Sequence, residues 1–167
     1  MAPRFENLIE QHHDEIFAYL WRLLGNERQS DVALEVEDLT QEVFLRAFEN
    51  FSRLRPDSNH RAWLYKVATN CAYTKLRQLK NRREKNHTLE VMATDTTISP
   101  ASESSRKRLR ALVDALPAKQ RACLTMRYLQ DLDYAEIGSI LDCTEESARA
   151  NVYQAIRRLR AALAEEI

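Results

Sequence analysis

Glycine and proline are nearly missing from this chain. Gly25 and Gly138 are its two glycines, and its four prolines stand at positions 3, 56, 100 and 117. An all-β fold needs a turn roughly every 8–12 residues, so this scarcity excludes one and makes helix the default. Cysteine is scarce too. Cys71, Cys123 and Cys143 are odd in number, widely spaced and without any C-x-x-C, which excludes a disulfide framework and a zinc module. Cys71 and Cys123 fall on apolar helix faces, as small buried hydrophobes do. His12 and His13 are neighbours and so point apart on a helix. Neither a metal nor a cofactor is expected. No apolar run is long enough to cross a bilayer. Arg4, Glu6 and Glu10 break up the N-terminal stretch, unlike a signal peptide, so a cytoplasmic protein is expected. Net charge is lacking as well: 25 basic residues balance 25 acidic ones, which argues against a general polyanion binder.

What is present is a strong separation of charge. Residues 1–50 hold 4 basic and 11 acidic residues, whereas residues 60–85 hold 8 and 1. Residues 106–121 hold 6 and 1, and residues 122–146 hold 1 and 6. Such a chain can offer one face to protein and another to nucleic acid, although solvated helix faces would produce the same pattern.

Hydrophobic spacing lays out the elements. Phe5, Leu8, Ile9, Ile16, Tyr19, Leu20 and Leu23 form one stripe of a helix over about 5–24, stopped by Gly25-Asn26. Residues 26–36 read as a polar connection with a short helical turn at Val32–Val36. A second helix begins near Asp38, capped by that residue, with Leu39, Val43, Phe44, Ala47, Phe48 and Phe51 inward. Asp38, Gln41, Glu42 and Glu49 lie off this stripe. A loop at 52–59 leads to a long helix over about 60–85, with Trp63, Leu64, Val67, Ala68, Cys71, Ala72, Leu76 and Leu79 inward.

Composition then shifts. Residues 86–103 (NHTLEVMATDTTISPASE) are rich in Ser and Thr and lack an apolar period, which reads as a flexible linker. The fold class is therefore all-α, with two small helical domains, 1–85 and 104–167. In the second, Leu109, Leu112, Val113 and Leu116 mark one helix, and Pro117 can open the next. Asp133 and Glu136 have capping-box spacing. Asp142-Cys143-Thr144 is a tight turn, and Ala148, Val152, Ala155, Ile156, Leu159 and Leu163 run through a final helix that Thr144 can cap.

Three constellations carry chemistry. A short helix, a three-residue turn and a longer helix are helix-turn-helix spacing, with Gly138 where a side chain would obstruct the partner helix. Arg149, Tyr153, Gln154, Arg157 and Arg160 on the last helix suit phosphates and base edges in a major groove, although an ordinary helical hairpin can also carry a solvated basic face. In the basic third helix and the loop before it, Arg53, Arg55, Asn59, Arg61, Tyr65, Lys66, Asn70, Tyr73 and Arg77 suit a strand whose bases leave the stack. Trp63 among them reads as a core anchor. The acids Glu35, Glu37, Asp38 and Glu42 read as a protein-binding or solvated face rather than a Mg²⁺ site.

The segment Asp38-Leu39-Thr40-Gln41-Glu42-Val43-Phe44-Leu45 resembles the region 2 signature of bacterial RNA polymerase sigma factors. Trp63-Leu64-Tyr65-Lys66-Val67-Ala68-Thr69-Asn70 and Arg77 follow it in that family's order. Leu116-Pro117-Ala118-Lys119-Gln120-Arg121, Tyr134–Leu141 and Arg157-Arg158-Leu159-Arg160 resemble region 4. The chain leaves no room for regions 1 and 3, which points to the extracytoplasmic-function (ECF) group. The resemblance implies a non-enzymatic specificity factor with no cofactor. Asp38, Gln41 and Glu42 would dock on the clamp helices of core RNA polymerase. The loop 52–59 and the third helix would hold the opened minus-ten element of promoter DNA, and the last helix would read the minus-thirty-five duplex. An anti-sigma factor is implied as a further partner. The chain departs from the family at Thr74, where Asp is usual, and at Ala148, Asn151 and Gln154, where Val, a basic residue and Arg are usual. The rival reading is a stand-alone helix-turn-helix regulator whose N-terminal domain binds a protein or a ligand.

Overall fold

The computed structural model describes residues 4–24, 32–86 and 101–165. Among them run seven helices and no strand: α1 (Phe5–Leu24), α2 (Val32–Phe51), α3 (His60–Asn86), α4 (Ala101–Asp114), α5 (Ala118–Tyr128), α6 (Tyr134–Leu141) and α7 (Glu145–Ala164). The all-helical expectation holds. Of the expected linker 86–103, residues 87–100 lie outside the described residues, while Asn86 closes α3 and residues 101–103 open α4.

The N-terminal half is a three-helix bundle of α1, α2 and α3. Ile16, Tyr19, Leu20 and Leu23 of α1 are fully buried, together with Val36, Val43 and Ala47 of α2 and Leu64, Ala68 and Ala72 of α3. Fully burying a Leu or Ile contributes roughly 1.5–3 kcal/mol, so these stripes are what hold the bundle together. Phe48 departs from the expectation: its side chain is exposed, touching Phe5 edge-on at 5.3 Å. Phe51, one turn further on, is half-buried against the core, so Phe48 sits at the margin of the stripe rather than within it.

The start of α2 corrects two further expectations. The helix begins at Val32, so residues 32–36 are its first turns rather than a connection. Asp38 therefore sits inside the helix and does not cap it. Its carboxylate is left on the outer surface.

In the C-terminal half, Ala122, Cys123 and Met126 of α5, Leu132, Ile137 and Ile140, and Ala148, Val152 and Ala155 of α7 form the core. Leu109 of α4 and Leu163 of α7, both expected inward, are exposed because the stripes outrun their partners. Pro117 is the residue that precedes α5 rather than the first within it.

The turn chemistry of the α6–α7 pair follows the sequence closely. Asp133 accepts from the backbone of Glu136 at 2.8 Å, and Glu136 accepts from the backbone of Asp133 at 3.0 Å. Thr144 accepts from Ser147 N at 3.0 Å and caps α7. Asp142 takes the left-handed conformation at φ 54, which Asp tolerates better than most residues. A Cβ on Gly138 would lie 2.7 Å from the Cys143 carbonyl oxygen, so this position has no room for a side chain.

The two halves are packed on each other. One buried cluster runs from α1–α3 into α5–α7. Between the start of α3 and α6, a void of only about 10 Å³ remains, lined by Arg61, Tyr65, Leu132, Glu136 and Ile140 among others. A gap that small is close to dry packing.

Candidate polymerase and nucleic-acid interface

The outer face of α2 presents Asp38, Gln41 and Glu42, all exposed and one turn apart. Glu42 pairs with Arg46 at 2.7 Å along its own helix. Leu45 is also exposed there, so the face mixes carboxylates with an apolar contact. Glu35 is drawn aside toward Lys75 at 3.8 Å. Among the described residues no group of three or more His, Cys, Asp or Glu could hold a metal ion.

The residues expected at the minus-ten element divide over different sides of α3. On one side is a cleft of about 460 Å³ between α2 and α3, lined by Arg46, Glu49, Asn50, Trp63, Val67, Asn70 and Cys71. Asn70 is exposed at its rim, and Trp63 is half-buried, packed on the core and lining the cleft at once. Trp63 is thus more than the core anchor read from its position. The 52–59 loop is tied by turns, with Ser58 N and Ser58 Oγ both donating to the Arg55 carbonyl at 3.1 and 2.6 Å. This leaves Arg53 and Arg55 exposed, while Asn59 accepts from Ala62 N at 3.0 Å and caps α3.

The other side of α3 faces the C-terminal half. Tyr65, expected to meet DNA, is fully buried, and its ring meets Tyr19 edge-on at 5.1 Å. The reason is tertiary: α1 covers the ring, and Gln130 covers the hydroxyl. Tyr65 donates to Glu15 at 3.0 Å and accepts from Gln130 at 2.7 Å. Burial and this environment push its hydroxyl pKa up to about 12. Arg61 makes a two-point contact with Glu15, Nε to Oε1 at 3.1 Å and Nη2 to Oε2 at 3.0 Å, and also lies 3.9 Å from Glu136. Burial would raise the Glu15 carboxyl, but hydrogen bonds from Arg61, His12 and Tyr65 outweigh it and hold the group below the ordinary value. Lys66 pairs with Asp142 at 2.6 Å.

Tyr73 is half-buried. Among the described residues its hydroxyl has no hydrogen-bond partner, and burial raises its pKa to about 12. Arg77 is exposed at a second cleft of about 660 Å³, between α3 and the α4–α5 turn. Gln130 also donates to the Glu15 carbonyl at 3.2 Å and receives Arg22, which reaches the Leu129 carbonyl at 2.8 Å. Sequence reasoning did not single out Glu15, Gln130, Glu136 or Asp142 as partners of α3, although it placed Glu136 in a capping box and Asp142 in a turn. No spacing rule could do so, since each pairs across at least 46 residues of chain.

On α7, Arg149, Tyr153, Arg157 and Arg160 are all exposed along the side away from the core, as expected. Gln154 is less free, accepting from Gln120 at 3.2 Å. Arg149 lies with its guanidinium carbon 5.0 Å from the centre of the Tyr134 ring and 3.4 Å from Glu145.

A bundle that exposes an acidic helix face beside a cleft walled by Trp63 and Asn70, joined to a helix-turn-helix, is matched by two family models in chain order. Residues 8–83 match Sigma-70 region 2, and residues 106–159 match Sigma-70 region 4. The chain belongs to the sigma-70 family. The curated relatives that it matches are named ECF RNA polymerase sigma factors. It is 27% identical to the ECF RNA polymerase sigma factor SigE of Mycolicibacterium smegmatis, over 97% of this chain and 62% of that protein. It is 25% identical to SigW of Bacillus subtilis, over 93% of this chain and 87% of the relative. The ECF sigma-E factor of Escherichia coli is 28% identical over 72% of the chain and 70% of the relative. In fold it is similar to the sigma factor RpoE of Bartonella quintana, solved with the anti-sigma factor NepR, at a TM-score of 0.69, with 19% identity and 98% of each chain covered. It is also similar to CnrH, solved with the cytosolic domain of CnrY, at 0.67, with 19% identity over 98% of this chain and 89% of that one.

Proposed function

We propose that this sigma factor directs core RNA polymerase to a two-part promoter. Asp38, Gln41 and Glu42 on α2 make the polymerase contact, against its clamp helices. The α2–α3 cleft takes an unstacked base of the opened minus-ten strand, and the exposed face of α7 reads the upstream duplex. The cleft is the observation that carries this reading. It combines an aromatic wall at Trp63 with an amide at Asn70 that can both donate and accept, and Arg46 and Glu49 stand in its lining with opposite charges. Unstacking costs a few kcal/mol per base, and capture in such a cleft offsets it. Catalytic chemistry belongs to polymerase, and the chain acts where polymerase does, in the cytoplasm.

The packed arrangement of the halves is a closed one. Lys66 is held by Asp142 of the C-terminal half, and Arg61 by Glu15 of α1 with Glu136 3.9 Å away, so parting the halves frees Lys66 and leaves Arg61 with Glu15 alone. Exposed ion pairs contribute only ~0–1 kcal/mol each, so polymerase contacts can displace them. An anti-sigma factor that grips both halves would hold the pairing shut. The test is run-off transcription with purified core polymerase on a promoter library. Enrichment of one two-part sequence is expected, and Asn70→Ala should impair opening, read by permanganate reactivity, while sparing binding to core. No enrichment over core polymerase alone would end this reading.

A further inference from the structure

The helix-turn-helix carries an arrangement of three side chains that the reading above leaves unused. Tyr134 is the first residue of α6. The guanidinium carbon of Arg127, near the end of α5, lies 4.6 Å from the centre of its ring, and that of Arg149, in the second turn of α7, lies 5.0 Å away. Three helices thus meet at one aromatic ring.

The platform is fixed. Asp133 and Glu136 bond each other's backbone on either side of Tyr134, which sets the start of α6. Leu132, two residues before the ring, is 1% exposed and anchors the turn. Arg127 donates to the Leu132 carbonyl at 3.2 Å, so it is tied to that turn and belongs to the support. Arg149 differs. Its side chain is 58% exposed, and its other contact is Glu145, one turn back on the same helix.

We propose that Tyr134 is a positioning residue for promoter specificity: its ring holds the Arg149 guanidinium in the plane and direction from which it meets one base of the upstream element. This rests on the reading of α7 as the duplex-reading helix, and it takes Arg149, near the start of that helix, as the side chain that meets a base.

The chemistry favours a ring for this task. A free arginine has many rotamers, and a two-point contact to guanine uses one of them. Stacking removes most of the others before DNA arrives. Glu145 alone cannot do this well. A carboxylate holds the guanidinium along its own helix and brings a negative charge toward DNA phosphates. A neutral ring on the neighbouring helix supplies direction without repelling the backbone. The stack works through the ring and not through the hydroxyl, which separates Phe from aliphatic replacements.

The experiment is selection of upstream elements by holoenzyme from a library randomised over that element, run with the unsubstituted chain, Arg149→Ala, Tyr134→Phe and Tyr134→Leu. Arg149→Ala should relax preference at one base position. Tyr134→Leu should relax the same position, by about three- to five-fold, with the salt dependence of binding unchanged. Tyr134→Phe should keep the full preference. If Arg149→Ala relaxes a position and Tyr134→Leu does not, the positioning role is wrong while the reading of α7 stands. If Tyr134→Leu weakens all sequences alike, the residue is structural only and the proposal fails. If Arg149→Ala changes nothing, the base-reading assignment falls and takes the proposal with it. The unsubstituted chain gives a check that needs no variant to fold. The Arg149 Nε–H resonance should carry the shift of a proton near an aromatic ring, and a random-coil position would overturn the stack.

Discussion

Glu15 shows how much one side chain on α1 does for a helix read as DNA-binding. It accepts a two-point contact from Arg61 and one bond from Tyr65, so it shares with Gln130 the task of satisfying the buried Tyr65 hydroxyl. Its folded-state pKa lies below the usual carboxylate value, so the folded form binds fewer protons than the unfolded one at mildly acid pH. The stability it contributes is therefore present above the unfolded value, 4.5, and is lost as pH falls through the lower folded one. Glu15→Gln should cost about 1 kcal/mol in urea unfolding at neutral pH, a figure reduced for partial exposure, and the difference from the parent should shrink as pH falls below the unfolded value and through the lower folded one. Gly138 is the second residue that decides something locally. The atoms a Cβ would meet are Cys143 O, Thr144 C and Glu145 N, all backbone, so no side chain can rotate away. Gly138→Ala should destabilise the chain by roughly 1–3 kcal/mol, seen as a lower Tm.

At the scale of elements, α2 and α7 behave alike. Each buries one side and leaves the other available, and neither exposed side is needed for folding. Replacing Asp38, Gln41 and Glu42 together with Ala should leave the helical circular dichroism and Tm nearly unchanged, since all three are exposed, while weakening capture by core polymerase at least ten-fold in a titration. Unchanged affinity would move the contact to another face. α3 is different. Its Trp63–Asn70 side opens into the α2–α3 cleft, while its Arg61–Lys66 side faces α6 and pairs with Glu136 and Asp142 there. A helix with cations spread around it can serve a cleft on one side and a seam on another, which explains why the expected minus-ten set did not come together on one surface.

For the whole molecule, the decisive feature is the seam between the halves. Its polar part centres on Gln130, which donates to Tyr65 and to the Glu15 carbonyl and also receives Arg22. Hydrogen bonds of this kind contribute about 0.5–1.5 kcal/mol each, so removing the amide shifts the balance between closed and parted halves without unfolding either. Gln130→Ala should raise the parted population of the free chain by about ten-fold, read by energy transfer between dyes on the two halves. Parent holoenzyme should give the parted signal, and the variant should reach that signal at lower core polymerase concentration. Equal transfer in parent and variant would show that the apolar seam alone sets the closure.

The sequence by itself determined the helices and their stops, the capping box at Asp133, the need for glycine at 138, the two motif sets and the exposed basic face of α7. These depend on neighbours within a few residues, where periodicity and capping chemistry act. Only tertiary structure decided that α2 starts at Val32, that Tyr65 is core rather than surface, and that Glu15 of α1 holds Arg61 while Asp142 of the helix-turn-helix holds Lys66. Those outcomes depend on which helix covers which: α1 supplies Glu15 and Tyr19, and the α5–α6 turn supplies Gln130. A buried hydroxyl needs a partner, and whether one is present is set by packing between residues 50 and 65 positions apart in the chain.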